Sequence, residues 1–232
     1  MDPVALCAHT AAGWHASWLT ALGLRWERRG SVWRALDSPP FIYWTAITLA
    51  SDAPASEIRD AHGTVCDSWS ALDLEPCGFV ERAREPWFFR PAGEPPSAEA
   101  PSELEAVSVR GFGGEDASAE VGAFHPPSIL ADVRMTMLIG RVGDGAIAAA
   151  MSYRSDQAVG IYGVTTIASA RGRGYASALT RALIDPAAPA VLSPSPEAEN
   201  LYRRFGFEQV GELRQWQRLP GQIASTTATE ST

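Results

Sequence analysis

The segment that decides the fold begins as a strand, Ala158-Val-Gly-Ile-Tyr-Gly-Val-Thr-Thr-Ile167, and continues through a short connection into the loop Arg171-Gly172-Arg173-Gly174-Tyr175-Ala176. The residues that follow, up to Asp185-Pro186, have helical character. A Gly-rich turn between a strand and a helix leaves backbone N–H groups unpaired at the helix N-terminus, where the helix dipole also favours negative charge. Glycines let the backbone approach a ligand closely, and Arg171 and Arg173 add charge-assisted contacts. The segment therefore predicts a phosphate-binding cradle.

Two common phosphate loops do not fit this segment. A Walker A loop requires Gly-Lys-Ser/Thr, which is absent. A dinucleotide fingerprint requires Gly or Ala at its sixth position, and counting from Gly172 that position is Ser177. The strands before the loop also form a meander, which is unlike the first βαβ unit of a dinucleotide-binding fold. The pyrophosphate of an acyl-CoA is the ligand that remains.

The motif resembles a known superfamily. Val164-Thr165-Thr166-Ile167 followed by Arg171-x-x-Gly174-x-Ala176 is similar to the GNAT superfamily of N-acyltransferases, whose hallmark is Arg/Gln-x-x-Gly-x-Gly/Ala between the fourth strand and the third helix. Downstream, Ala198-x-x-Leu201-Tyr202-x-x-x-Gly206-Phe207 resembles the later helix–strand motif of these proteins. The resemblance covers about Glu105 to Arg218. It implies an α/β (α+β) fold with a mixed, mostly antiparallel central sheet flanked by helices, and acetyl-CoA as co-substrate without a metal.

The resemblance also implies roles for single residues. Val164, Thr165 and Thr166 would supply main-chain bonds to the pantetheine arm where the sheet splays apart, and Arg171, Gly172, Arg173, Gly174, Tyr175 and Ala176 would cradle the pyrophosphate. Ser195 stands where such proteins often have an Asn that touches the cofactor. Tyr202 matches the Tyr often proposed as the general acid that protonates the departing thiolate. The alternative for Tyr202 is a packing role between helix and sheet.

The general base is not evident from the sequence. Many relatives place a Glu on the fourth strand, about where Gly160 stands, and no acidic residue lies between Gln157 and Ala170. Tyr162 shares a strand face with Gly160, so we expect it to line the pocket. The candidate proton acceptors are a water chain or one of four side chains that could equally be surface residues: Glu115, Asp116, Glu120 and His125.

The order of predicted elements in the C-terminal half, with strands first and helices inserted later, suits a mixed sheet. The strand at Glu105–Arg110 is followed by weak helical signals between Glu115 and Val133. Met135–Val142 and Ala146–Arg154 flank Gly143-Asp144-Gly145, which predicts a hairpin. The later predicted elements are a strand at Ala190–Leu192, a helix at Glu197–Phe205 and a strand at Glu208–Arg218.

The chain divides into two halves. We expect an N-terminal half at 1–91, a Pro-rich linker at 92–102, an acetyltransferase domain at 103–220 and a disordered tail at 221–232. The N-terminal half predicts a Trp-rich helix near Thr10–Leu22, strands at Leu24–Arg28, Val32–Leu36 and Ile42–Ala50, and a helix around Ala55–Ala61. Its end, with Gly78-Phe79, Trp87 and Arg90-Pro91, resembles Gly206-Phe207, Trp216, Arg218 and Pro220. This similarity is either chance or an internal repeat, in which case the N-terminal half is a degenerate GNAT-like copy without a CoA loop.

Composition narrows the class of protein. With 46% hydrophobic and 20% charged residues the chain is an ordinary globular protein, and a net charge of −8 with only 19 Lys and Arg excludes nucleic acid as the expected partner. No apolar run long enough to span a membrane is present, so no membrane partner is expected. The cysteines Cys7, Cys66 and Cys77 fit a reduced cytoplasmic protein. Seven of the eight tryptophans precede residue 90, and they form either a core or an aromatic wall around a ligand.

These observations predict an acetyltransferase that moves the acetyl group of acetyl-CoA to the amine of a small molecule by direct attack in a ternary complex. Two alternatives stay open: the acceptor is a protein lysine or N-terminus, or the chain is a non-catalytic acyl-CoA-binding module. Monomer and homodimer are both compatible with the sequence.

Overall fold

The computed structural model describes residues 2–93, 112 and 125–218. Most of the predicted linker at 92–102, the predicted strand at Glu105–Arg110 and the predicted tail at 221–232 lie outside the described residues. The helices are α1 (Pro3–Ala21), α2 (Tyr175–Leu183) and α3 (Glu199–Arg204). The strands are β1 (Trp26–Arg29), β2 (Val32–Ala35), β3 (Ala46–Thr48), β4 (Thr64–Asp67), β5 (Phe79–Arg90), β6 (Met135–Val142), β7 (Gly145–Arg154), β8 (Val159–Thr166), β9 (Ala190–Leu192) and β10 (Glu208–Arg218).

Within the described residues the strands form one sheet of ten strands in the order β1-β2-β3-β4-β10-β5-β9-β8-β7-β6. Neighbouring strands are antiparallel except in the pairs β3–β4 and β8–β9. Val191 of β9 packs with α1, whereas its neighbours Ala190 and Leu192 pack with α2 and α3. Because successive side chains of a strand point to opposite faces, the sheet has an α1 face and an α2–α3 face. The predicted mixed, mostly antiparallel sheet flanked by helices is confirmed.

The two halves repeat one pairing pattern and exchange their last strands. In each half three strands pair antiparallel and a fourth pairs parallel to the third, first in β1–β4 and again in β6–β9. β5, the last strand of the N-terminal half, pairs with β9, and β10, the last strand of the C-terminal half, pairs with β4. β5 and β10 pair with each other at the centre. A degenerate GNAT-like origin of the N-terminal half stays a prediction, but its strand order is that of the C-terminal half.

The similarity between the two strand ends has a structural counterpart. Arg218, at the end of β10, donates a hydrogen bond from Nη1 to the carbonyl of Cys77 at 3.1 Å, just before Gly78-Phe79. Arg90, at the end of β5, donates from Nε to the carbonyl of Phe205 at 2.8 Å, just before Gly206-Phe207. Each arginine therefore binds the turn that leads into the opposite exchanged strand.

The helix α1 is buried on most of its circumference because it crosses the middle of the sheet. Asp2 caps it by accepting a hydrogen bond from the N–H of Val4 at 3.0 Å, and Pro3 occupies its first position. Small and apolar residues follow on all sides, which is typical of a helix buried in a core. No helix in the described part of the chain is long and apolar enough to cross a membrane.

Most tryptophans of the N-terminal half pack in the core beneath α1, whereas Trp26 is exposed. Trp18, Trp33 and Trp87 are fully buried, and Trp14 packs against the same cluster. Trp14 and Trp18 contact edge-on with ring centroids 6.2 Å apart, as their spacing on a helix predicts. The structure therefore favours a core role for these indoles over an aromatic wall around a ligand.

Two local predictions in the N-terminal half are wrong. The predicted helix at Ala55–Ala61 is a single 3-10 turn at Ala55–Glu57, because the chain must enter β4 a few residues later. α1 begins at Pro3 rather than near Thr10, since its first turns are as apolar as the Trp-rich part and pack on the sheet too.

Candidate active site

The site is built around an irregular strand. Between Ala149 and Met151 the register of β7 against β8 shifts, and Gly163 has a φ of +59° at this bulge. Glycine is favoured here by this positive φ; a Cβ would meet only the terminal methyl of Met151, a flexible side-chain end that can move aside. The bulge sets the direction of the last residues of β8, from Val164 to Thr166.

β8 separates from β9 after Gly160, three residues before the bulge at Gly163. The two strands pair only at Val159 with Ala190 and at Gly160 with Val191. β9 ends one residue later, whereas β8 continues to Thr166 with its other edge held by β7. The described part of the sheet is therefore splayed where Val164, Thr165 and Thr166 lie, as expected for main-chain bonding to a pantetheine arm.

The predicted cradle follows directly. After a 3-10 turn at Ala168–Ala170, Gly172 and Gly174 adopt φ values of +75° and +86°, which favour glycine. A Cβ at either position would have nothing within 4 Å, so the space above the loop is open. α2 begins at Tyr175, and its first N–H groups have no partner within the helix. This geometry fits a pyrophosphate.

The side chains of the loop have divided roles. Arg171 and Arg173 are exposed, and Arg171 donates from Nε to the carbonyl of Thr166 at 3.1 Å. Tyr175 is buried and fixes the start of α2, while Ala176 is half-buried in its first turn. Two guanidinium groups beside open backbone donors suit a doubly charged pyrophosphate.

Ser195 lies in the turn after β9, which borders the same region. It is exposed and precedes the 3-10 turn at Pro196–Ala198. The pKa of Glu197 in this turn is lowered by its own backbone N–H, with smaller contributions from Ser195 and from the positive charge of Arg171. The turn and the loop are therefore close enough to interact.

Tyr202 lies on α3 in the cluster on the α2–α3 face. It is buried together with Ile167, Ala170 and Tyr175, which surround the start of the loop, and its ring meets Phe207 edge-on at 5.9 Å. Burial raises the pKa of its phenol. A phenol that keeps its proton can act as an acid, and the same contacts would serve a packing role.

The position where relatives carry a Glu is filled by an aromatic ring. A Cβ on Gly160 would overlap the ring and hydroxyl of Tyr162, which lies over it on the α1 face. Tyr162 stacks on Trp14 with centroids 4.6 Å apart and planes at 25°. The ring is thus held between strand and helix, and a side chain at residue 160 has no space.

Replacing Gly160 by Ala should lower the free energy of unfolding by about 1–3 kcal/mol, the usual cost of overpacking a core. Urea unfolding measures this cost. In a Tyr162→Ala background the same substitution should cost much less, because the overlapping ring is gone. An equal cost in both backgrounds would contradict this assignment.

Among the predicted proton acceptors, Glu115, Asp116 and Glu120 lie outside the described residues. His125 is described: it meets Trp18 edge-on at 5.1 Å, and burial lowers its pKa. A packed ring of this kind is neutral at pH 7.

A carboxylate that no sequence motif marks lies beside the splay. Glu85 on β5 is half-buried and accepts a hydrogen bond at 3.1 Å from the hydroxyl of Ser193, one residue past the end of β9. No local motif marks it, because β5 reaches this place only through the exchange of strands.

Two clefts of about 580 and 540 Å³ flank α1 and share Gly13, Arg28, Arg134 and Tyr153. Neither is lined by residues of the loop Arg171–Ala176. The proposed cofactor cradle is open to solvent, so it is not one of these two clefts.

Comparisons with known proteins agree with this geometry. Residues 110–207 match the family model described as the Acetyltransferase (GNAT) family. The resemblance of the C-terminal half to GNAT proteins is therefore confirmed. No curated protein matches the sequence.

Solved structures share the fold over both halves. A GCN5-related N-acetyltransferase from Kribbella flavida has a TM-score of 0.60 and 18% identity, over 91% of this chain and 96% of its own. A GNAT-family protein from Novosphingobium aromaticivorans has a TM-score of 0.59 and 16% identity, over 92% and 97%. Identities this low show the fold alone.

Proposed function

We propose that this chain, whose residues 110–207 match the model of the Acetyltransferase (GNAT) family, transfers the acetyl group of acetyl-CoA to the amine of a small molecule. The observation that carries the proposal is the open cradle between β8 and α2, directly after a strand that has separated from its neighbour. Backbone donors and two arginines there suit the pyrophosphate, and the splay suits the pantetheine arm.

Separate groups of the chain bind the parts of acetyl-CoA and transfer the proton. Val164, Thr165 and Thr166 hold the pantetheine by their main chain, the loop Arg171–Ala176 holds the pyrophosphate, and Ser195 contacts the cofactor from the turn after β9. The amine attacks the thioester carbon, the C–N bond forms and the C–S bond breaks. The phenol of Tyr202 gives its proton to the leaving sulfur.

A small acceptor is favoured by the covering of the sheet. α1 packs across β8 and β9 on the α1 face, and Trp14 closes over Tyr162 beside the splay. A sheet face that a helix covers beside the splay suits a small amine better than a polypeptide. The free thiols of Cys7, Cys66 and Cys77 support a reducing, cytoplasmic setting.

A free-thiol assay with acetyl-CoA tests the proposal over a panel of alkylamines, amino acids, aminoglycosides and a lysine peptide. We expect turnover with a small amine. Turnover with the peptide alone would indicate a protein acetyltransferase. All 19 cationic side chains are Arg, so acetyl-lysine detected in that assay cannot come from the chain itself. Binding of acetyl-CoA without turnover would indicate a non-catalytic binding module, which the missing acid at Gly160 would fit.

Replacing Tyr202 by Phe should lower kcat by about 10²-fold, in the range usual for general acid–base groups, with little change in the KM for acetyl-CoA. Phe keeps the packing against Phe207 and removes only the hydroxyl. Steady-state kinetics with the best amine of the panel measures the effect, and Tyr153→Phe is the matched control. Wild-type turnover in the Tyr202 variant would assign this residue to packing.

A further inference from the structure

Acetyl transfer requires a group that takes a proton from the amine, because alkyl amines are largely protonated at neutral pH. β8 carries no acidic residue, and Tyr162 occupies the space above Gly160. A proton acceptor must therefore reach the splay from another element.

β5 brings a carboxylate to this place. β5 and β9 run antiparallel, with Phe88 opposite Leu192, so the residues before Phe88 extend past the end of β9. Glu85 lies three residues before Phe88, at the level where β8 and β9 have already separated. Its carboxylate bonds Ser193 at 3.1 Å, which fixes it at the open end of the splay.

Glu85 and Tyr162 lie on the same face of the sheet. Glu85 lies opposite Leu213, which packs in the cluster beneath α1. Tyr162 of β8, two residues beyond the last pair with β9, lies on the same face. Glu85 and Tyr162 therefore border the two sides of the opening on the α1 face, while Tyr202 and the start of the loop pack on the opposite face.

We propose that Glu85 is the general base of the acetyl transfer, an inference that rests on the proposed function. The carboxylate of Glu85 first takes a proton from the ammonium group, which frees the nitrogen lone pair to form the C–N bond. The tetrahedral intermediate then collapses, the C–S bond breaks, and the sulfur takes a proton from Tyr202. Glu85 then releases its proton to solvent, and the second proton lost by the nitrogen passes through water to restore the phenol of Tyr202. The exchange of strands gives the N-terminal half, which has no CoA loop, a direct part in the chemistry.

The surroundings of Glu85 suit this role. Burial raises the pKa of its carboxyl, against smaller opposing contributions from Ser193 and Gln215. Within the described residues it forms no ion pair. Other titratable groups on this face are the thiols of Cys7 and Cys66 and the phenols of Tyr43, Tyr153 and Tyr162, whose pKa values burial raises, and the imidazoles of His9 and His15, whose pKa values burial lowers. All of these are neutral at pH 7, and the two imidazoles gain a proton at lower pH, so only an acidic limb that is lost in Glu85→Gln is assigned to Glu85.

Glu81 offers a matched control on the same strand. It lies opposite Trp216, on the other face of the sheet, and is exposed. Its carboxylate pairs with Arg84 at 2.7 Å and with Arg214 at 3.5 Å. Removing its charge should leave the reaction unchanged.

The experiment compares Glu85→Gln with Glu81→Gln, using the panel amine that the wild-type chain acetylates with the highest kcat/KM. We expect Glu85→Gln to lower kcat/KM for the amine by about 10²–10⁴-fold, as removal of a general base does, while calorimetry shows an unchanged affinity for acetyl-CoA. The acidic limb that titration of a carboxyl adds to the wild-type pH profile should vanish in Glu85→Gln, whereas the rise near about pH 10 that comes from deprotonation of the amine itself should remain. In Ser193→Ala the acidic limb should move to higher pH, because the hydroxyl donates to the charged carboxylate and so lowers its pKa.

The possible results separate the role of Glu85 from the proposed function. A wild-type rate or a persisting acidic limb in Glu85→Gln overturns the assignment and leaves the proposed function intact. A wild-type chain that binds acetyl-CoA and acetylates no amine of the panel overturns the proposed function and the assignment together. Should Glu85→Gln fail to fold, the limb in Ser193→Ala decides: a shift to higher pH supports the base, and an unmoved limb overturns it.

Discussion

Replacing Gly174 by Glu should abolish the binding of acetyl-CoA, with a loss of affinity of about 100-fold or more. Gly174 has a φ of +86° and caps α2 in the left-handed region, where a side chain costs about 1–2 kcal/mol. A Cβ there has nothing within 4 Å, so a new side chain extends into the open cradle. It would occupy the place of the pyrophosphate and set a negative charge beside it. Titration calorimetry measures the affinity, and the wild-type chain should bind one acetyl-CoA.

The control for this experiment is Gly143→Glu. Gly143 lies in the turn between β6 and β7, with a φ of +56° and again nothing within 4 Å of a Cβ. It shares the backbone strain and the added charge but lies outside the loop, so it should keep its affinity for acetyl-CoA. Unchanged binding in Gly174→Glu, or a second acetyl-CoA per wild-type chain, would show that the cradle is elsewhere.

Elements with strong local signals were predictable from the sequence. The turn Gly143-Asp144-Gly145 indicates the hairpin of β6 and β7, and the bounds of β9 and β10 agree with those predicted. Turn residues and β-branched runs act within a few residues, so they mark such elements without knowledge of their neighbours.

The partners of the strands were not predictable in the same way. β5 and β10 show as strands in the sequence, but strand propensity does not state which strand pairs with which. Their exchange between the halves is a long-range arrangement. For this reason nothing local distinguishes Glu85 from Glu81, although the fold places them on opposite faces.

The surroundings of Gly160, where no acidic residue stands, also depend on a long-range contact that the sequence does not specify. Period-two alternation places Tyr162 on the face of Gly160. The position of its ring depends on Trp14 of α1, which stacks on it from more than a hundred residues away in the chain. The absence of an acidic residue on β8 is therefore visible in the sequence, whereas the ring that occupies its place depends on the packing of α1.

The exchange of strands leads to a prediction for the two halves produced apart: residues 1–93 and residues 94–232 should not fold alone. β5 lies between β10 and β9, both from the other fragment, and β10 lies between β4 and β5. β5 alone buries Phe79, Trp87 and Phe88. At about 1.5–3 kcal/mol for each buried aromatic side chain, their loss is comparable to the whole stability of a typical domain, about 5–15 kcal/mol.

Circular dichroism and size-exclusion chromatography of the fragments test this expectation, with a protease site inserted between residues 93 and 94 of the full chain as the control. The nicked chain should stay associated and keep its affinity for acetyl-CoA, because the sheet forms before the cut. Co-expression of the fragments should restore a soluble one-to-one complex. Each fragment alone should aggregate, since separation exposes the edges of β9 and β10 that β5 covers. A monomeric, cooperatively unfolding 94–232 fragment would show that the exchanged strands are dispensable.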